Sequence, residues 1–270
     1  MGFPLENIMR VITTISALYM CASPASNVFQ IHLRRDVGNA SLLPFATLWV
    51  CNHIWMLYGY VTGNMFPVFA TYAIGDALSI IFLAVYIRWT TERKAVFKTC
   101  AIALFCNAVV TAYVILGKNG GFRHSQQTMT LTIGVSAIVS SLALYASPLA
   151  AVKIVLQTRS SASLPFGMIL AGTINNLLWV GYGVLVYDLF VIVPTSVNAA
   201  LGLVQVALYG VYYPSHSKAG GAIATPDGEL SQISYLAMGS VTPLSIANVK
   251  QGTDVCVLMI EEPCQPEENR

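Results

Sequence analysis

Charge is sparse along this chain, and the places where it returns mark out long apolar runs. Residues 11–33 and residues 37–75 contain no acid, lysine or arginine. A helix needs about 20 mostly apolar residues to cross a bilayer. The first run therefore fits one crossing and the second is too long for one. Gly59, Gly63 and Asn64 divide the second run, since glycine and asparagine favour helix ends and turns. The pattern predicts seven helical spans. Span 1 lies between Arg10 and Arg34, span 2 near 43–61, span 3 near 66–87 and span 4 between Lys98 and Lys118. Spans 5, 6 and 7 follow near 128–152, 165–186 and 190–212. From Pro214 the chain turns polar and ends in EEPCQPEENR; its one apolar run, VCVLMI, is far too short to cross. This tail, 214–270, is expected to be a largely disordered cytoplasmic segment.

Composition agrees. Of 270 residues, 56% are hydrophobic and 10% charged, against about 25% charged in soluble domains. Such a chain cannot cover its surface with charge, so its solvent is a bilayer. A net charge of +2 gives no ground for a nucleic-acid partner. The six cysteines (Cys21, Cys51, Cys100, Cys106, Cys256, Cys264) show neither CxxC nor Cys/His ligand spacing. They read as small hydrophobes or tail thiols, with no metal, cofactor or disulfide role. Paired carboxylates and a nucleophile triad are also missing, so no enzymatic activity is expected.

Seven crossings put the termini on opposite sides, and the excess of Lys and Arg marks the cytoplasmic one. Loops 1–2, 3–4 and 5–6 hold Arg34, Arg35, Arg88, Arg93, Lys94, Lys98, Lys153 and Arg159, whereas the other side holds Arg10, Lys118 and Arg123. The N-terminus is thus expected outside and the C-terminus inside, with the plasma membrane as the expected location. The NAS sequon at Asn39 would then face the cytoplasm and stay unmodified. Span 1 exceeds the 7–15 residue apolar core usual for a cleaved signal, roughly, and MGFPLE lacks the Ser/Thr at position 6 that myristoylation wants; neither modification is expected.

The chain repeats itself. Shifted by 124 positions, Ser23-Pro24 falls on Ser147-Pro148, Arg35 on Arg159, Asn52 on Asn176, Trp55 on Trp179, Tyr58-Gly59 on Tyr182-Gly183 and Thr71 on Thr195. Pro44 and Pro165 match at a separation of 121, each preceded by leucine and followed by phenylalanine. Spans 1–3 recur as spans 5–7. Three crossings would leave a second copy upside down, and span 4 restores its direction, so the two triplets become parallel about an axis along the membrane normal. The expected fold class is an all-α membrane protein. Its seven transmembrane helices form two parallel three-helix bundles (8–90 and 128–213) joined by a linker helix at 96–117, and the repeat-related residues would line a site on the axis.

Each repeat carries one proline in its first helix (Pro24, Pro148) and one near the start of its second (Pro44, Pro165). Proline in a helix removes a donor and clashes with the preceding turn, at about 3 kcal/mol. In a bilayer the freed carbonyls need partners inside the protein. The four prolines are therefore expected to face the interior and act as hinges.

These residues resemble the SWEET family of sugar transporters: ASP, LLPF and WMLYG in the first half, then ASPL, SLPFG and LLWVGYG…DLFVIVP in the second. The likeness runs from about Met9 to Tyr213. It implies facilitated, bidirectional diffusion of mono- or disaccharides by alternating access, with Pro24, Pro44, Pro148 and Pro165 as a hinge tetrad. It further implies Trp55 and Trp179 as sugar-facing rings, Cys51 and Asn175 one turn before them, and pocket positions near Met20 and Leu144. The family's asparagine on each third helix reads Thr195 in the second half, with Asn198 a turn beyond, and Thr71, or Tyr72 with one gap, in the first.

The chemistry fits independently. A sugar offers apolar C–H faces and a rim of hydroxyls, which call for flat aromatic platforms and uncharged hydrogen-bonding groups. Trp55 and Trp179 supply platforms. Asn52 and Asn176 share a helix face with them, and Asn175, Asn198, Thr71 and Thr195 add polar groups; buried amides also serve as glue between membrane helices. The partners expected are a small sugar and the lipid bilayer, with a homo-oligomer one assembly open to the chain. Asp76 is the lone acid within a span and has Ala199 or Ala200 opposite, so a coupled proton is a second reading; His53, opposite Leu177, reads as a packed histidine. The alternative function is thus a proton-coupled transporter of another small neutral solute such as an amino acid. A seven-helix receptor has no need of the repeat, and an opsin-like one would need a lysine that span 7 lacks.

Overall fold

The computed structural model describes residues 4–38, 40–121, 125–161 and 164–212, without the side chains of Ala143, Tyr145, Ala146 and Ser147. Asn39, Arg123 and the tail from 214, with Cys256 and Cys264, therefore lie outside the described residues, as does the side chain of Ser147. Every regular element among the described residues is helical. Helices α1 (Pro4–Ala22) and α2 (Ala25–Arg34) make up the first span, followed by α3 (Leu43–Thr62), a π turn at Met65–Phe69, α4 (Ala70–Trp89), α5 (Arg93–Lys118), α6 (Gln126–Thr158), α7 (Phe166–Leu185) and α8 (Leu189–Tyr212). Among the described residues five stretches are both long and apolar enough to cross a bilayer: Pro4–Arg34, Met65–Trp89, Arg93–Lys118, Phe166–Leu185 and Leu189–Tyr212. At 1.5 Å per residue, the 20 residues of α3 and the 33 of α6 also have the length. Large apolar side chains such as Ile15, Phe29, Phe105, Val139 and Leu203 point outward, as expected where the solvent is lipid.

Helix ends repeat with the sequence. Arg35 closes α2 and Arg159 closes α6, both in the left-handed region (φ 56° and 49°). Gly63 closes α3 at φ 73°, and Tyr187, 124 positions on, turns the chain after α7 at φ 56°. Only glycine takes that conformation freely; the other three hold it because the turn is fixed by the helices on either side. Span 5 proves longer than its charge pattern predicts. The helix continues past Val152 to Thr158 because Lys153 sits inside it rather than beyond it.

The prolines behave in three different ways. Pro24 breaks the first span. Its missing N–H would have bonded the Met20 carbonyl, which instead accepts from the Ser23 backbone N–H (3.2 Å) and hydroxyl (2.8 Å). Pro148 lies inside an unbroken α6. Pro44 occupies the first turn of α3 and Pro165 the residue before α7, where an N–H would have no carbonyl within the helix to bond, so its loss costs nothing. The last two start helices and do not kink them.

The helix contacts also repeat. In the first half α4 packs on α1 and α3; in the second α8 packs on α6 and α7. Between halves, α1 meets α7 and α6 meets α3, each contact being the image of the other. Helix α5 leans mainly on α3. One buried cluster joins the halves, with Trp55, Tyr58 and Val68 from the first and Ile133, Trp179, Tyr182 and Val191 from the second. The repeated Tyr-Gly pair has a packing reason. A Cβ on Gly59 would sit 2.6 Å from the backbone N of Phe69, and one on Gly183 2.9 Å from Ile192 Cγ1. Glycine at both places lets the start of the third helix lie against the second.

Candidate functional site

Between the halves runs a cavity of about 430 Å³. It opens at the basic end of the bundle, where Gln30, Arg34, Asp36 and Ser41 line its mouth, and reaches Trp55 and Trp179. All nine residues singled out from the sequence contribute to its wall: Cys51, Asn52, Trp55, Thr71, Asn175, Asn176, Trp179, Thr195 and Asn198. So do Met20, Leu144 and all four prolines, Pro24, Pro44, Pro148 and Pro165. Arg34 and Asp36, both at the mouth, are the formal charges among its described lining residues.

The two indoles are turned inward and are 4% and 3% exposed, so neither belongs to an interfacial belt. Trp55 is anchored through its ring N–H to the Ser141 hydroxyl (2.9 Å), which also lies 3.8 Å from the Cys51 sulfur. Ser141 donates in turn to the Ala137 carbonyl. Position 17, the repeat image of Ser141, is alanine, so Trp179 has no matching anchor there. Tyr72 of α4 lies between the indoles. Its ring stacks on Trp55 (centroids 5.5 Å, 19°) and tilts against Trp179 (5.8 Å, 31°). Trp55 and Trp179 each meet a tyrosine edge-on, Tyr58 at 5.5 Å and Tyr182 at 5.9 Å.

The polar groups divide by role. Asn52 is buried and donates to the Ser79 hydroxyl (3.0 Å), tying α3 to α4. Asn176 donates to the Gly172 carbonyl of its own helix (2.8 Å), and the Thr195 hydroxyl donates to the Val191 carbonyl (2.6 Å). The Asn175 carbonyl oxygen and the Thr71 hydroxyl are buried without a protein partner. An unsatisfied buried polar atom costs about 1–3 kcal/mol, so these two are the groups in the wall with the most to gain from a ligand.

Beyond the rings, the end opposite the mouth is closed by a symmetric pair of bonds. The Tyr58 hydroxyl donates to Asp188 Oδ1 (2.7 Å), and the Asn64 amide donates to the Tyr182 hydroxyl (2.7 Å). Asp188 is the image of Asn64 and Tyr182 of Tyr58 under the same shift of 124. Each tyrosine thus reaches the turn of the other half. Asp188 Oδ1 also accepts from the backbone N–H groups of Phe190 and Val191 at the start of α8. Sequence reading noted the paired tyrosines but missed Asn64 and Asp188; their equal spacing was the available signal. It missed Ser141 too, which has no image.

Asp76 and His53 stand apart from the cavity. His53 Nδ1 lies 3.4 Å from Asp76 Oδ2, and its Nε2 lies 2.8 Å from the Thr111 hydroxyl of α5. The histidine expected to be merely packed therefore links α3, α4 and α5. The residues it reaches are 23 and 58 positions away in sequence, too far for a local pattern to reveal.

An aromatic-lined chamber, uncharged beyond its mouth, on a two-fold axis inside apolar helices, open at one end and bolted at the other, defines the class: an integral membrane carrier for a small solute. A family profile described as a sugar efflux transporter for intercellular exchange matches residues 7–94 and again 131–217, one copy per half, and the chain belongs to that family. It is similar to bidirectional sugar transporter SWEET7 of Arabidopsis thaliana, 27% identical over 213 residues that span 78% of this chain and 82% of the relative. It is also similar to bidirectional sugar transporter SWEET4 of Oryza sativa subsp. japonica, 26% identical over 78% of this chain and 81% of that one. The 3.7 Å structure of a eukaryotic SWEET transporter shares the fold, with a TM-score of 0.66 at 23% identity, covering 78% of this chain and 100% of its own.

Proposed function

We propose that this protein carries neutral sugars across a membrane in either direction, driven by their gradient alone. The observation that carries this reading is the wall of the cavity: two repeat-related indoles with amides and hydroxyls around them, and no formal charge beyond the mouth. The relatives named bidirectional sugar transporters support it. Asn175 and Thr71, with their unused hydrogen-bonding atoms, would take sugar hydroxyls, and Asn198, Thr195 and Cys51 would complete the rim. Asn52 and Asn176 would hold the wall in shape. Asp76 does not line the cavity, so a coupled proton or a charged amino-acid group would find no carboxylate beside the substrate.

Transport would proceed by alternating access. The observed form is open at the basic end, which the excess of Lys and Arg assigns to the cytoplasm; the N-terminus would lie outside, and the membrane would be the plasma membrane. Residues 8–90 and 128–213 would move as two bodies joined by 96–117. To face outward, the Tyr58–Asp188 and Asn64–Tyr182 bonds would open while the ends near the four prolines closed. Pro24 supports a hinge most directly, since the helix is already broken there.

Uptake of radiolabelled glucose, fructose, sucrose and an amino acid in a transport-deficient cell tests the reading. Sugar uptake that persists when the proton gradient is collapsed is expected, and Trp179→Ala should lower it by at least about tenfold at equal surface level. Uptake of the amino acid alone, or sugar flux that stops with the gradient, would overturn it.

A further inference from the structure

We propose that Tyr72 restricts the site to a single sugar ring, so that this carrier moves monosaccharides in preference to disaccharides. The inference rests on the sugar reading above and narrows it. Tyr72 departs from the repeat. Shifted by 124, it falls on Ser196, which does not line the cavity, or with one gap on Thr195, which does but carries no ring; Tyr72 lines the cavity with an aromatic ring. One flat ring from one half therefore occupies the axis between two symmetric indoles, 5.5 Å from Trp55 and 5.8 Å from Trp179.

The consequence is geometric. A platform binds a sugar by lying flat against its C–H face, and Tyr72 covers one face of Trp55 and leans against Trp179. Room for substrate remains on the side toward the mouth, beside Cys51 and Asn175. A disaccharide has two rings, and when the halves close around it one would need the space beneath the indoles and the other the slot between them. Tyr72 fills that slot already. Neighbouring packing keeps it there: Thr71 is fully buried, and a Cβ on Gly75, one turn on, would lie 3.0 Å from the Asn52 amide, so α4 has little freedom to draw the ring aside.

The test compares glucose and sucrose uptake by the wild type, Tyr72→Ser and Tyr72→Phe, normalised to surface level. The wild type should favour glucose by about tenfold or more, Tyr72→Ser (the residue its image carries) should cut that ratio severalfold, and Tyr72→Phe should keep it, because the ring and not the hydroxyl fills the slot. An unchanged ratio in Tyr72→Ser, or sucrose carried by the wild type as well as glucose, overturns the proposal while leaving sugar transport standing. A wild type that carries neither sugar removes the sugar reading itself and this inference with it. Should Tyr72→Ser fail to reach the surface, tryptophan fluorescence of the purified wild type titrated with each sugar decides: tighter glucose binding supports the proposal, and equal or tighter sucrose binding overturns it.

Discussion

The two halves share their letters but not all of their structure. Each starts its first helix toward a Ser-Pro pair, yet the first half breaks at Pro24 and the second runs unbroken through Pro148. Partners on the third helix of each half differ at that level. The Gln205 amide of α8 reaches the Pro148 carbonyl at 3.4 Å, while its image, Ile81, is an exposed aliphatic chain with nothing to donate. Trp55 has Ser141 and Trp179 has no hydroxyl in the same place; Tyr72 has a ring where Ser196 has none. What is symmetric builds the chamber and its far-end closure. What is asymmetric decides how each half flexes and what fits.

The largest expected effect separates two glycines that the repeat treats as equal. Alanine at either would gain the helix about 1 kcal/mol and would have to find room for a methyl. At Gly59 the obstacle is the Phe69 backbone N at 2.6 Å, which cannot move without displacing the π turn, and overpacking of this kind costs about 1–3 kcal/mol or more. At Gly183 the nearest atom belongs to the Ile192 side chain, with the backbone N at 3.3 Å, so a rotamer change relieves most of the clash. Gly59→Ala should lower the melting temperature of the purified protein by several degrees and Gly183→Ala by little. Equal losses would mean that both contacts are rigid and that the halves do not differ here.

Much of the architecture was legible because lipid forces a simple code. Charge is rare in the apolar middle of the spans, so gaps between charges marked the helices, which overrun the gaps where a charged residue sits inside a helix end: Arg10 in α1, Lys94 and Lys98 in α5 and Lys153 in α6. The duplication could be read from spacing alone, and it brought the indoles, amides and prolines into one list before any contact was known. Spacing could not say which face a residue presents. Asn52 and Asn176 look alike in sequence, but one ties two helices together and the other bonds its own. Nor could it anticipate contacts without an image: Tyr72 between the indoles, Ser141 under Trp55, and the His53–Asp76–Thr111 link all depend on three-dimensional neighbours supplied by one half only. The prolines were legible as a set, but their roles were not, because a helix start and a helix break carry the same letter.

The prolines provide a middle-sized test. If Pro24 is the working hinge, Pro24→Ala lets α1 and α2 join as α6 already does, gaining up to about 3 kcal/mol of helix that must be given back whenever the span bends. Sugar exchange across vesicles should slow by about tenfold while sugar affinity changes little. Pro148→Ala, in a helix that is straight through this point, should slow exchange less. Equal slowing would assign both prolines the same hinge and erase the difference between the halves. A loss of affinity in step with rate would point to the pocket instead.

The smallest effect concerns the far-end bonds, where the halves are nearly equal. Tyr58 donates to a carboxylate and Tyr182 accepts from an amide. A hydrogen bond to a charged group contributes about 1.5–3 kcal/mol and a neutral one about 0.5–1.5. Removing Tyr58's hydroxyl leaves Asp188 with the two N–H groups at the start of α8, so the carboxylate is not stranded and the loss stays near the lower bound. Tyr58→Phe should then raise the population open at the far end by about tenfold and Tyr182→Phe by about threefold, since 1.4 kcal/mol is a factor of ten. Cys51 reports on this directly: it lies on the cavity side of Tyr58, one to two turns deeper along α3, and is buried. An impermeant thiol reagent added at the far end should reach it fastest in Tyr58→Phe, more slowly in Tyr182→Phe and slowest in the wild type, scored by mass spectrometry at that cysteine. If the two variants label alike, the charge on Asp188 adds nothing to closure, and the two bonds work as equal halves of one latch. Labelling unchanged in both would mean that the stacked rings around Tyr72, and not the hydrogen bonds, keep that end shut.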